Sequence, residues 1–329
     1  MKKLILLIGF VTIVALFYSC KKSTSGTTNS NTNTGNWVTY TTTNGLVNNS
    51  IDAVAIDSQG NKWIGTEAGV SKFNDTTWIT YDAANTSNGL ADDNVTAIAI
   101  DKLGNKWFGG YLGVSKFDGT LWTTYLSITS VQAIAVDAQN NKWVGTQGNG
   151  VSKFDGTTWA TYTTTNGLAD NNVWAIAFDA QGNKWFGTTG GVSKFDGTNW
   201  TTYTKANGLI DNIVLRIDID AQGNKWFATG FGVTKYDGTN WTSYTTANTN
   251  HGLNGNSITS IAIDTQGDQW FGTWQGGVSK FDGSVWTNYI PSNAFNGAAS
   301  VPVYAIAADV KGNIWFGLAQ GGGLSELKK

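Results

Sequence analysis

Short runs of alternating apolar and small or polar residues recur along the chain from residue 36 onward, and turn residues separate them. One copy, residues 173–203, reads VWAIAFDAQGNKWFGTTGGVSKFDGTNWTTY. Short runs rich in Val, Ile, Phe, Trp and Thr and bounded by Gly, Asn and Asp are typical of β-strands. Each copy therefore predicts four strands, named a, b, c and d in chain order.

The whole pattern repeats at a nearly constant interval. The tryptophan of strand b recurs every 36 to 45 residues. Four short strands repeated at about this period are typical of propeller blades. The sequence therefore predicts an all-β fold over residues 36–329, a seven-bladed β-propeller with four antiparallel strands per blade. The seven copies begin at Ile51, Val95, Val131, Val173, Val214, Ile258 and Val303.

The two ends of the repeat region complement each other. Residues 36–40 (NWVTY) have the pattern of a strand d without a blade, and residues 323–327 (GLSEL) have that of a strand c without a strand d. We expect the N-terminal strand to join the last blade and close the ring. Closure would remove two exposed strand edges, which otherwise favour aggregation.

Two residue types repeat at fixed places within each copy. Fourteen of the 16 tryptophans fall on strands b and d, where packing between blades is the simplest role. An aspartate follows strand a in every copy, and we expect it to accept backbone N–H bonds in the a–b turn. A Ca²⁺ role is the alternative, although one carboxylate per turn suits that ion poorly. The aspartates are Asp57, Asp101, Asp137, Asp179, Asp220, Asp264 and Asp309.

The first 35 residues lack this pattern. Lys2 and Lys3 precede a predominantly apolar region of 15 residues (4–18), and Ser19 then precedes Cys20, so residues 1–19 read as a signal peptide. Residues 17–20 (FYSC) resemble a bacterial lipobox, with Phe where Leu is usual. We expect a lipid on Cys20, followed by a flexible tether to residue 35, and therefore a lipid anchor at the periplasmic side or the cell surface. Another cleaved signal and an uncleaved anchor are the alternatives.

Composition excludes several function classes. The formal net charge is -2 and Arg216 is the only arginine, so the chain lacks the basic footprint of a nucleic-acid-binding protein. His251 and Cys20 are the only residues of their types, which argues against a histidine metal centre or a Cys–His catalytic pair. We therefore expect a monomer without cofactor, metal or catalytic set.

Residues that break the repeat are better candidates for function than residues that keep it. The d–a and b–c loops vary and should open on one face of the propeller, where ligands usually bind. Trp174 and Trp274 are the only tryptophans outside the repeating positions. Aromatic rings beside polar groups suit sugars, although such rings can also fill packing gaps. The other candidates on this face are Tyr111, Phe231, Asp52, Gln132 and Tyr304.

Arg216 and Asp218 form a second group of candidates. Most other copies have alanine at these two places, and residues two apart on a strand point to the same side. Either the two side chains pair with each other between blades, or they anchor a carboxylate or a sugar near the axis.

The segment from Asp179 to Phe195 contains D-x-x-G-N-x-W-x-G-T-x-x-G-V-S-K-F and resembles the two-component regulator propeller repeat. The resemblance recurs seven times, and five of the copies have Lys before the Trp where the family often has Leu. It implies the propeller fold. Family members often lie in the periplasmic part of hybrid sensor kinases of Bacteroidota, where they are associated with carbohydrate sensing.

Three functions are compatible with these features. The first is a non-catalytic envelope binding protein that recognises a glycan or another small envelope ligand through its variable face. The second is a scaffold for another envelope protein. The third is an enzyme, because the fold resembles that of the streptogramin lyases, but fold alone does not determine function.

Overall fold

A computed structural model of the chain describes residues 36–125, 127–289 and 301–329. These residues form seven separate four-stranded antiparallel sheets, which confirms the predicted blades. Cys20, the expected signal peptide and the tether lie outside the described residues. So do parts of two d–a loops, Leu126 and residues 290–300.

Each blade follows the chain order a to d, with strand a innermost. Blade 1 contains β2 (Ile51–Ile56), β3 (Lys62–Thr66), β4 (Gly69–Phe73) and β5 (Trp78–Tyr81). Blade 2 contains β6 (Val95–Ile100), β7 (Lys106–Gly110), β8 (Val114–Phe117) and β9 (Trp122–Tyr125). Blade 3 contains β10 (Val131–Val136), β11 (Lys142–Thr146), β12 (Val151–Phe154) and β13 (Trp159–Tyr162). Blade 4 contains β14 (Val173–Phe178), β15 (Lys184–Thr188), β16 (Gly191–Phe195) and β17 (Trp200–Tyr203).

The remaining blades repeat this order and close the ring. Blade 5 contains β18 (Val214–Ile219), β19 (Lys225–Thr229), β20 (Gly232–Tyr236) and β21 (Trp241–Tyr244). Blade 6 contains β22 (Ile258–Ile263), β23 (Gln269–Thr273), β24 (Val278–Phe281) and β25 (Trp286–Tyr289). Blade 7 contains β26 (Val303–Ala308), β27 (Ile314–Leu318), β28 (Gly323–Lys328) and, as its outer strand, β1 (Asn36–Tyr40).

The core lies between the blades. The strand-b tryptophans are at most 4% exposed, and each belongs to a cluster that joins two neighbouring blades. Trp185, for example, stacks on Tyr203 of its own blade and packs against Phe227 of the next. Burying such a ring stabilises the fold by about 4–6 kcal/mol as an upper bound. The expected packing role is therefore confirmed.

The a–b turns take the conformation that the sequence predicts. Each is closed by a hydrogen bond from the fourth turn residue to the aspartate carbonyl oxygen, as from Gly182 to Asp179. This residue has a positive φ of 79° to 88° in six turns and is glycine there. Asn140 takes the same place in blade 3 with φ 65°, since asparagine tolerates this region better than most residues.

Three d–a loops begin with a single 3-10 turn, at Thr42–Asn44, Thr164–Asn166 and Lys205–Asn207. The side chain of a threonine caps each turn, and the side-chain oxygen of an asparagine accepts a hydrogen bond from the backbone N–H of that threonine. Together these bonds satisfy backbone groups that the turn leaves open. None of the described residues forms a helix of the length and apolarity that crossing a membrane requires.

Candidate ligand-binding site

A β-bulge in every inner strand builds one end of the central channel. The pairing of strand a with strand b shifts between the first and third residues of strand a in all seven blades. A bulge leaves its extra residue out of the ladder and redirects the side chain. The seven bulged second residues therefore meet around the axis, and we call them the mouth ring: Asp52, Thr96, Gln132, Trp174, Leu215, Thr259 and Tyr304.

The mouth ring lines a cavity of about 440 Å³. The b–c turns contribute Glu67, Tyr111 and Trp274 to its rim, and the d–a loops contribute Asn94 and Ser257. This confirms that the two variable loop sets open on one face. Below the ring the channel contains a second, smaller space of about 190 Å³, and its walls are largely small and aliphatic side chains. The volume of the mouth cavity, about 440 Å³, is in the range of sites for small molecules.

Aromatic rings and polar groups alternate around the cavity. Trp274 and Tyr304 face each other at a centroid distance of 5.9 Å with their planes tilted by 37°. About half of the Trp274 side chain is exposed, so a face of the ring is open to a ligand. Within the described residues, two buried polar atoms at this cavity lack a hydrogen-bond partner, namely Trp174 Nε1 and Asn94 Oδ1. A buried polar group without a partner destabilises a protein, and a bound ligand or water would remove that cost.

Arg216 reaches into both the cavity and the channel below it. Its Nη1 donates to the carbonyl oxygen of Leu215 at 2.8 Å. Its burial lowers the pKa of the guanidinium, and the nearby Asp52 and Tyr304 partly oppose that effect. The side chain is therefore a partly buried cation at the floor of the cavity.

Asp52 lines the same cavity as Arg216, and the charges of the two side chains interact. Burial and then the charge of Glu67 raise the pKa of Asp52 to about 6, although Arg216 opposes the shift. The carboxyl group can therefore change charge near neutral pH, and it can accept or donate hydrogen bonds to a ligand.

Asp218 does not line the cavity. Its Oδ1 accepts a hydrogen bond from the amide of Ile219 at 2.8 Å, and its Oδ2 accepts one from Ile263 of blade 6 at 3.1 Å. Burial raises the pKa of Asp218 to about 6, although these two amides oppose the rise. Among the described residues no ion pair joins Asp218 to Arg216, so the interpretation as a pair was wrong. The carboxyl of Asp218 instead binds the backbone of the neighbouring inner strand.

Phe231 also lies apart from the cavity lining. It occupies the b–c turn of blade 5 and is 64% exposed, while its amide donates to Thr229 Oγ1. Of the nine candidates from the sequence, the cavity brings together the other seven: Asp52, Tyr111, Gln132, Trp174, Arg216, Trp274 and Tyr304.

Two residues of the cavity lining, Asn94 and Ser257, were not predicted as site residues from the sequence. Each immediately precedes a strand a, at the place where the d–a loop returns to the axis. Their position directly before strand a, two residues from a mouth-ring residue, could have predicted a place at the cavity. In the described part of the chain, no group of three His, Cys, Asp or Glu side chains is placed to hold a metal ion.

Comparison with known proteins agrees with the repeat. Residues 167–190 match the family model described as two component regulator propeller, which confirms the resemblance seen in the sequence. This match runs from a d–a loop through β14 and β15 and includes Trp174. No curated protein matches the sequence.

Several solved structures share the fold. An extracellular domain assigned to a hybrid two component system of B. thetaiotaomicron is 25% identical, with a TM-score of 0.77. The match covers 89% of this chain and 41% of that one, so this chain spans less than half of that relative's length.

Two more distant structures show the fold alone. Virginiamycin B lyase from Staphylococcus aureus, inactive and with quinupristin, is 15% identical with a TM-score of 0.72, over 89% of this chain and 99% of that one. PorZ, a surface component of the type-IX secretion system of Porphyromonas gingivalis, is 20% identical with a TM-score of 0.56, over 81% and 42%.

Proposed function

We propose that this propeller is a binding protein of the cell envelope that takes a glycan, or a similarly hydroxylated small ligand, into the cavity at the mouth ring without changing it chemically. The proposal includes export by residues 1–19 and a lipid on Cys20, which would hold the propeller at the membrane through the tether. The similarity to extracellular sensor domains supports a place in the envelope.

The observation that carries the proposal is the unpartnered indole N–H of Trp174 inside a cavity of aromatic and polar side chains. A sugar hydroxyl can accept from Trp174 Nε1 while another donates to Asn94 Oδ1. The exposed ring of Trp274 offers an apolar face to the C–H side of a pyranose. Sugars present both kinds of surface, so one ligand class fits the whole cavity.

A protein partner is the second candidate function. Leu112 and Phe231 are more than 60% exposed, and both occupy b–c turns at the mouth end of the propeller. Exposed apolar side chains around a rim favour contact with another protein. In that case the loop face as a whole, and not the cavity, would form the interface.

Catalysis is favoured by one observation, the raised pKa of Asp52 beside Glu67. A carboxyl group that titrates near neutral pH is suited to general acid–base work. Chromatography of each bound glycan after incubation separates the two cases, because a binding protein returns it intact.

The proposal is tested by screening the full chain on a glycan array, followed by titration of each hit. We expect Trp174→Ala to weaken binding by roughly tenfold or more, since it removes a ring and a buried donor. Trp274→Ala should weaken the same hits. Trp200→Ala, on an outer strand d away from the cavity, is the matched control for loss of a tryptophan.

Hits that bind the two cavity variants as tightly as the native chain would overturn the proposal. Absence of any hit, together with capture of an envelope protein that Phe231→Ser releases, would favour the scaffold instead. Thermal unfolding of each variant shows whether a lost signal reflects a lost fold.

A further inference from the structure

Arg216 breaks the repeat on an innermost strand, where its side chain lines the channel. It occupies the third position of strand a, where five other blades have alanine and blade 6 has Ser260. The narrow channel below is lined by aliphatic residues such as Ile98, Ile134 and Ile176. A guanidinium among such residues loses much of its hydration, which disfavours the folded state unless another group compensates.

The described residues provide little of that compensation. Only one of the five guanidinium N–H groups has an acceptor, the carbonyl oxygen of Leu215. No carboxylate of the described residues forms an ion pair with Arg216, although Asp52 lies near enough to influence its pKa. The planar fork of an arginine matches a carboxylate in two parallel hydrogen bonds.

We propose that the ligand of this cavity is a saccharide with a carboxylate, such as a uronic acid unit, and that Arg216 binds that carboxylate at the floor of the cavity. This inference rests on the proposed function and specifies its ligand class. The sugar ring then lies among Trp174, Gln132 and Tyr304 of the mouth ring, which line the cavity together with Arg216.

The two acidic side chains of the mouth select the rest of the ligand. Asp52 and Glu67 make no hydrogen bond through their side chains to other described residues, so their oxygens can accept from sugar hydroxyls. They also repel a free anion, which disfavours simple carboxylates that bring no hydroxyl donors. A uronic acid supplies one carboxylate for Arg216 and several donors for the acids.

Matched sugar pairs test the proposal directly. We would titrate the full chain at pH 7.5 with D-glucuronate against D-glucose and D-galacturonate against D-galactose, with acetate as the plain carboxylate. The proposal expects at least one uronate to bind roughly tenfold or more tightly than its neutral partner, as a hydrogen-bonded charge pair provides. Arg216→Gln should remove that preference.

Two further variants keep the test sharp if Arg216→Gln folds poorly. Asp52→Asn removes a competing negative charge but keeps an oxygen that can accept from a hydroxyl, so it should raise the preference for a uronate over its neutral partner several-fold. Lys205→Gln removes an exposed positive charge from the loop before β18 and should leave every affinity unchanged.

Each of the other possible titration results contradicts a particular part of the proposal. Neutral sugars that bind as tightly as the uronates would contradict the role of Arg216 but leave the proposed function standing. Acetate that binds as tightly as a uronate would contradict the saccharide. If neither uronate binds, the inference fails, whereas the proposed function is decided by the glycan array.

Discussion

At the scale of single residues, one repeated carboxylate organises each a–b turn and its tryptophan. Asp179 Oδ1 accepts from the amides of Gln181 and Asn183, and Oδ2 accepts from Asn183 Nδ2 at 2.8 Å and Trp185 Nε1 at 2.9 Å. The backbone bonds confirm the sequence prediction. The indole bond was missed, although the constant six-residue spacing between the two side chains pointed to it.

We expect Asp179→Ala to lower the free energy of unfolding by about 2–4 kcal/mol, because it leaves a buried indole N–H and a turn amide without acceptors. Urea unfolding at pH 7 measures the change. Asp196→Ala is the control in the same blade, since its carboxylate lies on an exposed hairpin turn and its loss should lower the free energy of unfolding much less. Equal losses in the two variants would contradict the role of the buried turn.

The same residue makes stability depend on pH. Burial alone would raise the pKa of Asp179, but hydrogen bonds from Asn183 and Trp185 outweigh that effect and hold the pKa below 3.8. The ionised form is therefore stabilised by folding, so its contribution is full above pH 3.8 and disappears as the pH falls through the lowered value. Asp179→Ala should accordingly lose less stability than the native chain between pH 4 and pH 2.

At the scale of elements, a lysine at the start of strand b joins each of five blades to the blade before it. Lys142 Nζ lies 3.4 Å from Asp101 Oδ2 and 5.1 Å from the ring centre of Trp107, both in blade 2. Gln269 and Ile314 replace the lysine in blades 6 and 7. The five lysines over a tryptophan of the preceding blade are Lys62, Lys106, Lys142, Lys184 and Lys225.

Lys142→Met keeps the apolar stem and removes the ammonium, so it tests this contact. We expect a loss of about 1–3 kcal/mol in the free energy of unfolding, because Asp101 loses a cation within a buried interface. Lys205→Met, on an exposed turn, should change it by less than about 0.5 kcal/mol. An unchanged midpoint of urea unfolding in Lys142→Met would show that the lysines do not join the blades.

The strands themselves were predictable because each carries its own turn chemistry and alternation. The sequence also showed the lysine before the strand-b tryptophan, where the family often has Leu. It did not show which residue this lysine contacts, because that residue belongs to the preceding blade. Contacts across 35 or more residues, such as Lys142 to Trp107, depend on how blades pack, and local sequence does not encode that geometry.

At the scale of the whole molecule, the last blade is completed by the first strand. β1 pairs with β28 along its full length, from Asn36 with Lys328 to Tyr40 with Leu324, as the sequence predicts. Tyr40 Oη donates to Glu326 Oε2 at 3.1 Å across this pair. Lys311 of blade 7 bonds to Asp75 of blade 1, which adds a contact at the seam.

The candidate site was predictable only in part, because it depends on how the blades meet around the axis and local sequence does not encode that geometry. The second residue of strand a could be assigned to the variable face, but only the bulges show that all seven side chains meet in one cavity. Asp218 shares a strand with Arg216, and yet its carboxylate accepts from the amide of Ile219 in its own strand and from that of Ile263 in the neighbouring blade. Phe231 follows the variable loop pattern but lies outside the lining.

The central claim is that the ligand occupies the mouth of the channel against Trp174. The most direct test is the indole N–H resonance of Trp174 in the ¹⁵N-labelled full chain, assigned by its absence in Trp174→Phe and followed while sugars are added. The account predicts that a binding sugar shifts this resonance at the same concentration at which it saturates the protein. A sugar that saturates the protein while this resonance stays in place would contradict the account.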